Sequence, residues 1–445
     1  MGDREAEDTV PQTHLEEITG KISDLNKWRE IFGFHGLEIS NTTHQHGEGS
    51  AGDGPSGAGE PVGLQSVPLS AVPRALLLSP ATGGKPISLE MAMGLRKLLF
   101  GNVFQLFSCE WTRAYFKFRE PYSDLAYALE AEKGGTRAIL MVVQAHIIKY
   151  LLFIRNTEYS HLERLSRIGC RGQAEALAAA LADTLWAAGG GRRAVISLLT
   201  AALHVLPSGD YKADNFTERI QLFEFCEKGA AQEFISDHIN CFKGEGSHGV
   251  ILFLYSLLFS RTLERVQEDL HGTVTPLLQF SCGNITCAQA LLSLLLTGRA
   301  NPRHINGGQE PGCGDGVTQA WRCPVGYLRW DRARVEQKVC RGLGTPLLPV
   351  WLCSLAGRHG VLFSTDSLLL SDWKRERVFS LYFYSGQRKQ METAPLRIDT
   401  HSHHWEENRG EDPSSPGKRR PPIEMAIRTK WAGATVSWNG TDPFF

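Results

Sequence analysis

Paired cysteines are missing from this chain. Its ten cysteines are spread from Cys109 to Cys353 with no C-x-x-C, and the closest two, Cys282 and Cys287, lie five apart. A zinc ribbon or knuckle needs paired spacing, so none is expected. Charge of one sign is not in excess: 47 Lys and Arg face 48 Asp and Glu, a formal net charge of −1. A broad nucleic-acid surface needs an excess of base to neutralise phosphates, and that class is set aside. No apolar run approaches the ~18 residues of a membrane span. The longest, Gly249 to Ser260, reads as a core element, so no membrane partner is expected. The N-terminus carries no apolar signal segment, and Ala6 stands where myristoylation requires Ser or Thr. These features predict an intracellular protein, cytoplasmic or nuclear, whose thiols are mostly small buried hydrophobes. The glycosylation-type tripeptides at Asn41, Asn215, Asn284 and Asn439 are then chance matches. A Gly-x-Ser-x-Gly elbow and a phosphate-cradling Gly-x-x-x-x-Gly-Lys-Ser/Thr are also missing. No cofactor or metal is predicted.

What is present is ordinary globular material, 42% hydrophobic and 21% charged. Residues 1–46 read as an acidic tail. Twelve acids and four bases fall in the first 60 residues, and Leu15, Ile18, Ile22, Leu25, Trp28 and Phe32 form one helical stripe. Residues 47–87 read as a flexible linker, with six glycines between Gly47 and Glu60. The folded body is expected over 88–445, opened by Ser88 as a helix N-cap. Residues 138–154 are apolar on nearly every face, the mark of a helix buried at the centre of a domain. Helices are also expected over 174–186, 193–205, 216–242, 249–270 and 287–296. Strands are expected at 349–353, 361–364, 378–384 and 396–399, with strand character again over 423–439. Residues 401–421 read as a surface loop. Helices followed by consecutive strands predict an α+β fold with an antiparallel sheet around a buried helix.

Three segments carry a family likeness. The first is Leu95 to Gly101 with Glu110 and Trp111. The second is Gly134-Gly-Thr-Arg-Ala138 running on to Gln144 and Leu151 to Phe153. The third is Ser371 to Phe379 with Ile427 to Trp431 and Trp438 to Pro443, and Leu296 to Ala300 adds a shorter match. Together they resemble the MINDY family of ubiquitin carboxyl-terminal hydrolases, on the branch of its fourth member, over roughly residues 88–445. The resemblance implies a distantly papain-like cysteine protease fold and ubiquitin or polyubiquitin chains as partner.

Active members of the family carry a Cys at the start of the buried helix, where the macrodipole favours thiolate. A His from a distant strand serves as base, and an upstream Gln holds the oxyanion. Aligned on the motifs, this chain has Arg137 at the nucleophile position and Ala131 at the oxyanion-donor position. Arg358 falls at the base position with His359 adjacent, and His359 would need a bulge to face the site. A guanidinium stays protonated and cannot attack a carbonyl. The resemblance therefore implies a pseudoenzyme, an inactive hydrolase that retains polyubiquitin binding. The alternatives are an interaction scaffold without ubiquitin binding and a hydrolase with a relocated nucleophile, Cys109 with His359 as base. Cys353 and His146 read as core residues, and His401, His403 and His404 as a solvated cluster.

Overall fold

The computed structural model describes residues 72–440 apart from 80–81, 156–160, 207–208, 210, 272–274, 282, 307–321, 332–338 and 402–419. The acidic tail with its amphipathic stripe, the glycine-rich segment, His403, His404 and most of the 401–421 loop lie outside the described residues.

The body starts ahead of Ser88. Strand β1 (Lys85–Pro86) pairs with β3 (Ile220–Phe225), and the adjoining Ile87 is buried and donates its N–H to the Ile220 carbonyl at 3.0 Å. Residues 85–87 therefore belong to the fold and not to a linker. Ser88 then caps helix α1 (Leu89–Phe100) by accepting from the Met91 N–H, as its sequence predicts. A single turn, α2 (Cys109–Thr112), precedes the central helix α3 (Arg137–Lys149), which runs on as a π turn over Tyr150–Ile154.

Every residue of α3 is buried. The stretch 137–154 is long and apolar enough to cross a bilayer, which the count of uninterrupted apolar residues missed, but 89% of it is buried inside the protein. It is a core helix. Helix α4 (Cys170–Ala188) packs against it.

The sequence predicts a helix over 193–205, but the chain forms strand β2 (Ala194–Leu199), all six residues buried. The expected helix over 216–242 likewise opens with a 3-10 turn (Thr217–Arg219), runs as strand β3 and becomes α-helical only at α5 (Lys228–Asp237). Short apolar runs carry no period that separates strand from buried helix, and tertiary pairing decides. The three strands order as β1-β3-β2, with β2 at the edge. Helix α6 (Gly249–Arg261) covers that edge. Its Ser260 and Ser256 hydroxyls accept the Val195 and Ser197 N–H groups, each at 2.8 Å. A hairpin that the sequence reading did not anticipate follows, β4 (Leu278–Ser281) and β5 (Asn284–Cys287), leading into α7 (Gln289–Thr297).

The second sheet has six strands: β6 (Gly326–Trp330), β7 (Val350–Leu355), β8 (Arg358–Phe363), β9 (Val378–Tyr384), β10 (Ala394–Asp399) and β11 (Thr435–Ser437). They lie in the order β11-β10-β9-β8-β7-β6, antiparallel except for the parallel β6–β7 pair. The expected strand over 423–439 is mostly helix α8 (Pro422–Lys430), with only β11 extended. Proline at the first helical position fits that start. The mixed α+β class holds.

Alternation on the six strands sorts the core into two layers. Val350, Leu352, Val361, Phe363 and Tyr384 join the cluster around α3, while Trp351, Cys353, Leu362, Leu381 and Phe383 join Ile423, Ile427 and Trp431 of the α8 side.

His146, inside α3, is 4% exposed and neither ring nitrogen has a partner. Burial, then the nearby Lys149, pushes its pKa down to about 3. Burial also lowers His304 to about 4. With folded pKa values below the unfolded value, the unfolded chain binds more protons just under pH 6.5, and stability falls as pH drops from there towards 4. We expect His146 alone to contribute a slope of about 1 kcal/mol per pH unit in that window. Urea midpoints at pH 7, 6 and 5 should show the slope, and His146→Leu should flatten it. An unchanged slope in the variant would remove His146 as a cause.

Candidate functional site around the start of the central helix

The loop before α3 is held from three directions. Gln144, in the middle of α3, reaches back to the segment ahead of the loop: its Oε1 accepts the Leu129 N–H at 2.5 Å and its Nε2 donates to the Tyr127 carbonyl at 3.1 Å. The Tyr384 hydroxyl donates to the Leu129 carbonyl at 2.8 Å, and the Ala131 N–H donates to the Gly386 carbonyl at 3.0 Å. This segment is thus laid along the end of β9. On the opposite side, Glu110 Oε1 accepts the Gly135 N–H at 2.7 Å. Trp111, fully buried, donates from Nε1 to the Ile285 carbonyl at 3.0 Å, and that carbonyl lies against Gly135. A Cβ on Gly134 would stand 2.1 Å from Glu110 Oε1, and one on Gly135 1.5 Å from the Ile285 oxygen. The Gly-Gly pair is therefore needed for close approach on both sides.

Arg137, the first residue of α3, is 5% exposed. Among the described residues its guanidinium donates only to main-chain carbonyls: Nε to His359 at 3.0 Å, Nη1 to Ala131 at 2.6 Å and Glu132 at 3.3 Å, and Nη2 to Ser385. One side chain thus ties the loop before α3 to β8 and to the end of β9. Burial lowers its pKa, and the neighbouring Arg358 charge lowers it further, while Tyr384 acts in the opposite sense. The Ser385 corner is itself fixed by Gln390, 1% exposed, whose Oε1 accepts from the Ser385 N–H and Oγ, both at 2.7 Å.

The β7–β8 hairpin turns on Ala356 and Gly357, both at positive φ (48° and 83°). Leu355 then pairs with Arg358, Ser354 with His359 and Cys353 with Gly360. This register is regular and holds no bulge. Residues 359, 361 and 363 share a face, and Val361 and Phe363 face α3. His359 therefore faces α3 without the bulge expected of it. Arg358 is exposed and has the parity of Leu362, which packs on the α8 side. The His359 Nε2 is sealed from solvent with no partner. Burial, then Arg137, pushes its pKa down to about 4.

Arg137, Ala131 and His359 thus meet, while the other candidates do not join them. Cys353 is buried on the α8 side of the sheet, and burial pushes its thiol far up. His401 is exposed. Cys109 is an exposed free thiol beside Glu110. The sequence reading missed Gln390, the β4–β5 hairpin and what Glu110 and Trp111 do. Glu110 and Trp111 stood among the quoted motifs, but their contacts lie 25 and 174 residues away.

Comparison with known proteins bears on this geometry. The family model described as deubiquitinating enzyme MINDY-3/4, conserved domain, matches residues 96–440. The chain is 35% identical over 373 residues to the mouse protein named "Probable ubiquitin carboxyl-terminal hydrolase MINDY-4", covering 82% of this chain and 48% of that one. The human protein of the same name is 35% identical over 385 residues, covering 85% and 49%. The bovine "Ubiquitin carboxyl-terminal hydrolase MINDY-3" is 27% identical over 332 residues, covering 66% and 70%. No solved structure matches. The chain spans about half the length of the MINDY-4 proteins it matches. The expectation of a pseudoenzyme is corrected here. The matched family is enzymatic and its members are named as hydrolases, and nothing in the match marks this chain as inactive. Catalytic groups are recognised by geometry and role, so an arginine at one aligned position does not exclude the chain from the enzymes. By both the family match and the identity to its relatives, the chain belongs to the MINDY-3/4 family of deubiquitinating enzymes.

Proposed function

We propose that this chain recognises ubiquitin or polyubiquitin inside the cell, using the surface where the loop before α3 meets β8 and the end of β9. In this reading Arg137 takes the nucleophile position and Ala131 the oxyanion-donor position. His359, not Arg358, takes the base position. In this reading the buried helix packed on the antiparallel sheet is a distant papain-like cysteine protease arrangement. The observation that carries the reading is the 3.0 Å hydrogen bond from Arg137 Nε to the His359 carbonyl. It joins, within one contact, two positions that the family motifs separate by more than 200 residues. The test is equilibrium binding of mono- and tetra-ubiquitin to the full chain. Saturable binding that weakens when His359 is changed to alanine is expected, and no binding of either form would sink the proposal.

One observation favours a second reading, hydrolysis by a relocated thiol. Cys109 is exposed and adjoins Glu110, which grips the loop before α3. A ubiquitin probe with a C-terminal electrophile should then label the wild-type chain and spare Cys109→Ala. Failure to label either protein would remove this reading.

A further inference from the structure

The loop between β8 and β9 carries an exposed tryptophan flanked by two cations. Trp373 is 67% exposed. The Arg377 guanidinium carbon lies 5.3 Å from its ring centroid and Lys374 Nζ lies 6.0 Å from it. Both cations are exposed as well. Among the described residues neither has an acid partner, because the acids of the same loop are taken. Asp366 and Asp372 face Arg375 at 2.7 and 3.9 Å, and Glu376 Oε2 accepts from Trp431 Nε1 at 2.9 Å.

The loop holds this arrangement still. Leu369 is fully buried and anchors it in the α8-side layer. Successive turns close it: the Leu368 carbonyl accepts the Ser371 and Asp372 N–H groups, and the Asp372 carbonyl accepts the Arg375 N–H. Thr400 fixes the end of the loop, donating from its N–H to the Arg377 carbonyl at 2.9 Å and from Oγ1 to the Glu376 carbonyl at 2.7 Å. A large ring on a fixed loop loses little freedom on binding, and Trp and Arg are the side chains that most often carry binding energy at interfaces. A cation stacked on an indole is held in place yet keeps its charge for a partner.

We propose that residues 373–377 form a docking site for a short acidic segment of a partner protein. Two of its carboxylates pair with Lys374 and Arg377, and a neighbouring apolar side chain packs against the Trp373 ring. Charge decides the class of partner. The site offers two unpaired cations where a lipid-binding cluster has about four to eight. Asp366, Asp372 and Glu376 stand in the same loop, and an anionic bilayer would repel them. A formal net charge of −1 gives the chain no field for a phosphate backbone. Arg377 directly precedes β9 and Ser385 directly follows it. At ~3.3 Å per residue the strand sets the two roughly 25 Å apart. The docking site is therefore separate from the surface around Arg137, and the proposal does not depend on the ubiquitin reading.

The experiment measures equilibrium binding of the full chain to three labelled short peptides by fluorescence anisotropy. One has a central phenylalanine flanked by glutamates, one the same centre flanked by glutamines, and one a central serine flanked by glutamates. The first should bind saturably, at least ~10-fold tighter than either of the others, as expected for charge-assisted contacts beside an aromatic anchor. Its affinity should fall as salt is raised. Trp373→Ala and Arg377→Glu should each weaken it by about 10-fold or more without moving the urea midpoint, because both side chains are exposed. No binding of the first peptide, equal affinity for the glutamate and glutamine forms, or a Trp373→Ala variant that binds like the wild type would overturn the proposal. Tighter binding to phosphatidylcholine–phosphatidylserine vesicles or to polyuridine than to the first peptide would overturn it in favour of a membrane or an RNA.

Discussion

Replacing Arg137 by alanine should lower the free energy of unfolding by about 3–5 kcal/mol. Four carbonyls, of Ala131, Glu132, His359 and Ser385, lose their shared donor. Bonds from a charged donor contribute roughly 1.5–3 kcal/mol each. The cost of keeping a guanidinium out of water, several kcal/mol, is returned when it is removed, which brings the net loss to the range stated. Arg137→Cys should lose a similar amount, since a thiol donates weakly and reaches one of the four carbonyls at most. The check is urea denaturation at pH 7, with Arg137→Lys as the intermediate case. A change below about 1 kcal/mol for alanine would mean that water replaces the guanidinium at no cost, and the arginine would then not be holding these segments together. For the same reason a thiol put back at this position arrives in a loosened site. Any activity measured on Arg137→Cys has to be read alongside its stability.

Gly135→Ala is expected to be at least as damaging, about 3 kcal/mol or more. The new Cβ would sit 1.5 Å from the Ile285 oxygen. That oxygen belongs to the backbone of β5 and already accepts from Trp111 Nε1, so it cannot step aside without breaking a buried hydrogen bond. Either the β4–β5 hairpin lifts away or the start of α3 shifts, and Arg137 follows it. A drop in melting temperature together with faster amide exchange at Ile285 and Cys287 is the expected result. A variant that melts like the wild type would show that the loop before α3 tolerates displacement, and that the Gly-Gly pair does not fix the site.

Much of this site can be read along the chain, because its central elements have periodic sequences. The all-apolar α3, the alternation in β9 and the N-cap at Ser88 follow from local rules. The position of His359 was also readable. It stands two residues before Val361 and four before Phe363, so the strand's own alternation puts all three on one face. The motif match puts Arg358 at the base position, one residue earlier in β8 and of the opposite parity. An Arg358→His exchange would for that reason present an imidazole to the α8 side, not to α3. What could not be read were features created by distant contacts. The grip of Glu110 on Gly135 and the buried Gln390 that closes the Ser385 corner look, in sequence, like ordinary polar residues. The helix expected over 193–205 failed because a short buried run such as Ala194 to Leu199, apolar but for Ser197, suits a strand as well as a helix, and only pairing with β3 decides between them.

The serines of α6 that take up the outer N–H groups of β2 have a consequence for how this protein can be approached. A sheet edge with free N–H and C=O groups invites another chain to dock as an extra strand. Along β2 that invitation is withdrawn, because Val195 and Ser197 already donate to hydroxyls of a helix in the same chain. An extended polypeptide tail cannot zip onto this edge without first unseating α6. Selectivity for whatever visits this part of the molecule must then come from side-chain surfaces. The edge is also closed to the strand-to-strand stacking by which partly unfolded sheets aggregate.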